Sequence, residues 1–313
     1  MSASNDPCGA ADRAGWAPET LHVREATEAD AAACRMLLPE FVGAGSWWVA
    51  AERQPPYRVV GAGALWTRCR PSATASGPGV GLEVISPCRR QGLGRSLLRA
   101  VVAQVRSEGH AGLYAARRVD LADASFPAWQ ALGFRVAETA VAHEVSVEAL
   151  RARLGPLADW LRQRGAIPAA VGLQPLLRVS ADAVVDLHTA HLGGDRDDLR
   201  RRVRGQCPNG FHPRYSQALL LGDRVIGCLL ARRSGPQSAA VDAVIVAPDH
   251  RHAWANVLLK LETARAAAGL EVRHLQFTTF DQYDDTRKFA DQLGGKILHT
   301  RALLYLPLSE AAS

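Results

Sequence analysis

Lysine is nearly absent from this chain. Lys260, Lys288 and Lys296 are the only lysines in 313 residues, although Lys and Arg together number 37 against 31 acidic residues, a formal net charge of +6. A positive balance carried by scattered arginines reads as the codon bias of a GC-rich genome. The densest arginine cluster, Arg196 to Arg204, is interleaved with aspartates. Aromatic residues make up only 6%, too few to favour base-stacking platforms, so nucleic acid is not an expected partner. No apolar run reaches the roughly 18 residues that a membrane-spanning helix needs, so no membrane span is expected. Residues 1–20 lack the basic-then-apolar order of a signal peptide and read as a flexible leader. None of the six cysteines forms Cys-x-x-Cys, and they read as free thiols of a cytoplasmic protein. Gly-x-Gly-x-x-Gly and Gly-Lys-Ser/Thr are both missing, which argues against a Rossmann dinucleotide site and a Walker A loop.

What the chain does have is a repeat. Residues 21–38 read as strand, turn and helix (LHVREA, TEADAAACRMLL), and residues 175–192 follow the same order (PLLRVS, ADAVVDLHTAHL). A hairpin pattern follows each, around Arg53-Gln54-Pro55-Pro56 in the first and around Gly222-Asp223 in the second; Gly-Asp suits a two-residue turn. Each copy then has a strand ending in proline, a helix carrying Leu-Leu, a strand, a short helix and a last strand. Pro248 lies 161 positions after Pro87, and Gly294 lies 161 after Gly133. Equal offsets at separated landmarks indicate duplication of one β-α-β-rich unit. Between the copies, VEALRARLGPLADWLRQRG reads as an amphipathic helix broken near Gly155-Pro156, followed by a linker.

The richest segment is Ser86-Pro87-Cys88-Arg89-Arg90-Gln91-Gly92-Leu93-Gly94-Arg95-Ser96. An apolar strand, Leu82–Ile85, leads in, and a helix running to about Ser107 leads out. Bare glycine backbone, cationic side chains and a helix N-terminus are together a recipe for holding a pyrophosphate. Cys88, inside the loop, is a candidate for alkylation but not for a nucleophile.

Strand, Arg89-x-x-Gly92-x-Gly94, helix, the strand Gly112–Ala116 and a helix ending Ala131-Leu132-Gly133-Phe134 together resemble the GNAT superfamily of acyl-CoA N-acyltransferases. The resemblance covers residues 21–147 well and residues 175–308 as a degraded second copy. It implies an α/β fold with a mixed sheet in two tandem GNAT-like domains, joined by a helical linker at 148–174. It implies an acyl-CoA cosubstrate, acetyl-CoA as the expected donor, whose pyrophosphate sits on Arg89, Arg90, Gln91, Gly92, Leu93, Gly94, Arg95 and Ser96. Pantetheine would pair with the strand beside a splayed gap, and the acyl carbonyl would meet a backbone N–H near Val84, Ile85 and Ser86, where it stabilises the developing oxyanion.

In such a reaction a neutral amine attacks the thioester directly, and a general base takes its proton. Glu83 is the only acid on the first strand and is the candidate base, with a solvent-facing or arginine-paired carboxylate as the plainer reading. Asp242, on the second copy's strand, is the rival. The family's tyrosine acid is replaced by Trp129 and, in the second copy, by Ala290. Indole is not a useful acid, leaving Tyr114, Tyr283, Tyr305 or solvent to protonate the thiolate. The second loop carries His250, Ala253 and Ala255 at positions matched by sequence to Arg89, Gly92 and Gly94, so poor acyl-CoA binding is expected there. His188-x-x-His191 with Asp195, and His250-x-His252, read as surface residues, and no metal is expected. The irregular aromatic loop Gly210–Tyr215 reads as either an acceptor-pocket lining or ordinary loop packing.

Three functions remain open at this level: an N-acetyltransferase acting on an amine (a small amine, an antibiotic, an amino acid or a protein terminus), a catalytically silent acyl-CoA-binding or interaction module, and an aminoacyl-tRNA-dependent transferase. The intact Arg89–Gly94 loop argues against the third.

Overall fold

A computed structural model describes residues 20–308 except 42, 44, 70–74, 252, 282 and 283. The leader at 1–19, His252 and Tyr283 therefore lie outside the described residues. In chain order the elements are β1 (Leu21–Glu25), α1 (Ala31–Leu37), β2 (Ser46–Glu52), β3 (Val59–Cys69), β4 (Gly77–Val84), α2 (Leu93–Ser107), β5 (Gly112–Ala115), β6 (Val119–Asp120), α3 (Ser125–Ala131) and β7 (Arg135–Ser146). There follow α4 (Val147–Gln163), β8 (Val171–Pro175), α5 (Ala181–Leu192), α6 (Arg196–Val203), β9 (Gln217–Leu221), β10 (Arg224–Arg233), β11 (Ser238–Val246), α7 (Ala253–Ala268), β12 (His274–Phe280), α8 (Asp284–Gln292) and β13 (Lys296–Pro307). The chain divides into two units. One holds the residues up to Thr139 together with those from Arg301, and the other is Ala140–Thr300.

In the first unit, β1 to β4 form an antiparallel meander. Strand alternation sends one set of side chains to each face. On one face α2 lays Leu97, Leu98, Val101 and Val105 over Ala50, Leu65, Val80 and Leu113, a one-sided stripe set by helical spacing. On the other, Cys34, Leu38 and Phe41 pack on Val49, Ala62 and Ala64. The entry to α1 is tied to β1. Arg24 donates to both carboxylate oxygens of Asp30 at 2.6 and 2.9 Å, and the Thr27 N–H and hydroxyl donate to Asp30 as well. The Arg24 hydrogen bond, opposed in part by burial, holds the Asp30 carboxyl down to about 2.

The second unit repeats the meander as β8 to β11, with β12 parallel to β11. The segment read as a linker contributes to this unit's core. α4 places Leu150, Leu154, Ala158 and Leu161 in one apolar cluster with Leu258, Leu261 and Ala264 of α7. Nor does α4 break at Gly155-Pro156: Pro156 sits inside it. Proline removes the hydrogen bond to the carbonyl four residues earlier. That residue, Ala152, is exposed, so water can serve its carbonyl.

The last strand of each copy closes the other copy's sheet. Ala140–Ser146 of β7 pairs antiparallel with Phe280–His274 of β12 in the second unit. Tyr305, Leu306 and Pro307 of β13 pair with Tyr114, Leu113 and Gly112 of β5 in the first. The boundaries expected at 147/148 and 174/175 therefore differ from the observed division at 139/140 and 300/301. Period-two alternation in a strand is satisfied by either neighbour, so sequence carries no sign of the exchange.

Candidate functional site

β4 and β5 run parallel but pair only briefly, at Gly79↔Tyr114 and Val80↔Ala115, with a final bond from the Ala116 N–H to the Val80 carbonyl at 2.9 Å. From Gly81 to Val84, β4 stays paired with β3 alone. The Ile85 N–H donates to the Val60 carbonyl of β3 at 2.9 Å, so it does not face the gap. By strand alternation the N–H and C=O of Leu82 and Val84 point the other way, into the gap that β5 leaves. Of the backbone donors expected near Val84–Ser86, Val84 is the one on the strand that points there.

Beyond Val84, Ser86–Cys88 form a 3-10 turn and α2 begins at Leu93. Gly92 is the N-cap, in the left-handed region at φ 82°, with no side chain capping the helix. The first intrahelical bond is Ser96 N–H to Gly92 C=O at 3.0 Å. The N–H groups of Leu93, Gly94 and Arg95 are then left without intrahelical acceptors. A Cβ at Gly92 or Gly94 would find no atom within 4 Å, so the space above this backbone is open. Arg90 is also left-handed, at φ 64°, and both Arg90 and Arg95 are exposed. The Leu93 side chain goes to the core, leaving its backbone for the site. Gln91 carries a buried Oε1 with no hydrogen-bond partner, while its Nε2 donates to the Pro87 carbonyl at 3.4 Å. Cys88 is fully buried in the core, and burial pushes its thiol pKa up, away from the reactivity expected of a loop cysteine.

Glu83 is not free. Arg89 Nη2 donates to its Oε1 at 2.7 Å, while Arg89 Nε donates to the Val84 carbonyl at 2.8 Å. The arginine-paired reading of this carboxylate is the one observed. A Cβ at Gly81 would run into the Phe41 ring at 2.2 Å. Glu83, two positions on, therefore lies on the face that packs α1, opposite α2. The pairing with Arg89 left no trace in the sequence, although Glu83 and Arg89 stand only six residues apart.

The second unit has the same splay, with β11 and β12 paired only from Ser238↔His274 to Ala240↔Gln276. Its turn corrects one sequence match. The bonds Cys88 N–H to Ile85 C=O and Arg89 N–H to Ser86 C=O recur as His250 to Ala247 and Arg251 to Pro248. Arg251 Nε donates to the Val246 carbonyl at 3.2 Å, as Arg89 does to Val84. Arg251, not His250, therefore stands where Arg89 stands; His250 instead accepts from Arg224 at 2.9 Å. From the arginine to the Leu-Leu pair there are eight positions in the first copy and seven in the second, a one-residue loss that a constant offset conceals. At the α7 start, Trp254 and Ala255 are buried in the core.

Asp242 is likewise not the counterpart of Glu83. The strand pairs Gly61↔Val84 and Gly227↔Val246 align Glu83 with Ile245. Asp242 is the residue skipped by a β-bulge between Leu230↔Ala243 and Ala231↔Val241. Its carboxylate sits between Arg202 at 2.5 Å and Arg232 at 3.2 Å.

Trp129 packs edge-on against Phe134 at 4.8 Å. Tyr114 is level with Gly79, about 16 Å of strand before Val84. Its ring packs on Tyr305, 4.8 Å away, and burial raises its pKa. His188 Nδ1 is 3.2 Å from the Gly193 carbonyl. Among the described residues, no three His, Cys, Asp or Glu side chains group as metal ligands, and no helix is long and apolar enough to cross a membrane. In the Gly210–Tyr215 loop, Phe211 and Tyr215 are buried and His212 stacks on Tyr215 at 3.8 Å. The loop packs into its own unit.

An exposed glycine turn beside a splayed parallel strand pair is the decisive arrangement in the first unit. Residues 16–134 match the model of the acetyltransferase (GNAT) family. This segment is similar to GNAT-family domains. The fold of nearly the whole chain is found in solved GNAT structures. A GCN5-related N-acetyltransferase from Sphaerobacter thermophilus is 13% identical, covers 95% of this chain and 96% of its own, and has a TM-score of 0.52. A protein of unknown function from Enterococcus faecalis, described as a probable N-acyltransferase, is 9% identical over 91% of this chain and 72% of its own, with a TM-score of 0.62. A GCN5-related N-acetyltransferase from Anabaena variabilis gives 13%, 91%, 72% and 0.57. At these identities the likeness is one of fold. A search of curated protein sequences gave no match. With the repeated meander and splay, the chain is two GNAT-like units of mixed α/β structure in tandem.

Proposed function

We propose that this protein is an acyl-CoA-dependent N-acyltransferase, with acetyl-CoA as donor and an amine as acceptor, working in the cytoplasm and acting through the GNAT domain of its first unit. The observation that carries the reading is the uncapped start of α2. Three backbone N–H groups and two glycines with open space above them stand there beside the exposed Arg90 and Arg95, a set that suits a diphosphate. The pantetheine arm would lie along the unpaired edge of β4 and bond to Leu82 as a β-partner would, since Arg89 holds the Val84 carbonyl. The Val84 N–H is the donor for the oxyanion of the attacked thioester, and Glu83 takes the amine proton. The thiolate takes its proton from solvent, since Trp129 stands at the family's acid position.

In the test, purified protein is titrated calorimetrically with acetyl-CoA, and an amine panel is screened for release of free CoA. Saturable binding with turnover of at least one amine supports the reading. Glu83→Gln should then lower kcat by about 10²-fold or more, while Asp242→Asn should leave it within about twofold. Trp129 in place of the acid favours a second reading, a catalytically silent acyl-CoA-binding module. Tight binding without turnover on any amine would establish that module instead.

A further inference from the structure

Arg89 joins two groups that the proposed chemistry keeps apart: the Val84 carbonyl at the mouth of the gap and the Glu83 carboxylate. Resting on the acyl-CoA reading of this loop, we propose that Arg89 is a latch that holds Glu83 until a pyrophosphate arrives, so that cofactor loading releases the carboxylate that receives the amine's proton. Arg89 is thus a positioning residue, and loading and base availability are one event.

The second unit separates the two bonds. Arg251 makes the same Nε bond to its strand carbonyl, Val246, but the Glu83 position is Ile245, which is buried. The carbonyl bond therefore belongs to the turn that both units share. The carboxylate bond is an addition, present in the unit whose helix start is bare and absent from the unit whose helix start is packed.

The chemistry of exchange is favourable. The Arg89 and Glu83 side chains are 58% and 38% exposed, so their pairing is screened by water and worth only a few-fold in an equilibrium. A pyrophosphate seated on the Leu93–Arg95 N–H groups carries more charge and offers paired oxygens to the planar guanidinium, which suits such a fork. It therefore competes with Glu83 for Arg89. Glu83 then turns free on the α1 face, while the Nε bond to Val84 keeps the turn intact.

A latch makes an unusual prediction: removing the carboxylate strengthens cofactor binding. Coenzyme A without an acyl group is titrated calorimetrically into the full chain, so turnover plays no part. Glu83→Gln should tighten CoA by up to about fivefold, the range of an exposed ion pair. Glu83→Ala, which has no side-chain acceptor, should tighten it similarly and serves if the amide variant folds poorly. Arg89→Gln should weaken CoA, and adding Glu83→Gln to it should give no further gain. Unfolding midpoints confirm that each variant is folded. Unchanged or weaker CoA binding in both Glu83 variants overturns the latch and marks the ion pair as structural. If the wild-type protein binds neither CoA nor acetyl-CoA, the acyl-CoA reading itself fails, and that result is distinct from loss of the gain.

Discussion

At the start of α2 the backbone lies bare, with Gly92 and Gly94 open to solvent; at the start of α7, Trp254 and Ala255 are packed into the core. Both units keep the splayed strand pair and the arginine that bonds the strand carbonyl. Only the first keeps the open turn and a carboxylate beside that arginine. The comparison teaches which parts of the motif hold a fold together and which serve a ligand. Splay and the arginine–carbonyl bond persist where the helix start is closed, so the fold keeps them without an open turn. Gly92 suits its left-handed φ of 82°; Gly94 needs no such φ, and its bare backbone leaves room for the close approach of the proposed ligand.

The sharpest way to break this comparison is to put charge at each helix start in turn. Gly92→Glu should weaken acetyl-CoA binding on the order of 100-fold or more, since a carboxylate would face the phosphates. Ala253→Glu should leave it unchanged by calorimetry. The reverse pattern would move the site to the second unit.

A second prediction tests which strand completes which unit. Leu304 of β13 is fully buried in the first unit's core, although it stands in the second copy by sequence. Leu304→Ala should cost about 2–5 kcal/mol and lower the melting transition that acetyl-CoA raises. If only a transition insensitive to acetyl-CoA moved, the assignment of β13 to the first unit would be wrong.

A third sharpens the contrast between the two units at one strand position. Gly81 and Ala243 occupy matched strand positions, but a Cβ at Gly81 would enter the Phe41 ring. Gly81→Ala should destabilise by about 1–3 kcal/mol through overpacking. Ala243→Gly should cost about 1 kcal/mol or less. Chemical denaturation measures both, and equal effects would dissolve the distinction.

The smallest effect concerns thiols. Cys88 and Cys228, one in each unit, are buried and their pKa values are raised by that burial, Cys228 to about 12. Neither should react with iodoacetamide in the native protein at neutral pH, whereas the partly exposed Cys207 should. Mass spectrometry after brief labelling reads the result, and fast native labelling of Cys88 would contradict its placement in the core.

By itself the sequence determined the tandem arrangement, the strand–turn–helix around Arg89–Ser96 and the wear of its counterpart. These are local: strand alternation, helical spacing, glycine at a helix start and a repeat offset are all written within a few dozen residues. Tertiary structure decided what depends on partners far along the chain. It exchanged the last strands of the two copies, since a period-two pattern names no neighbour. It drew α4 into the second unit's core. It moved the match for Arg89 from His250 to Arg251, because backbone hydrogen bonds, not a constant offset, mark the turn. It took Asp242 out of equivalence with Glu83, because a bulge is invisible in sequence. It also bound Glu83 to Arg89, because the turn after β4 folds the guanidinium back over the strand that carries the carboxylate.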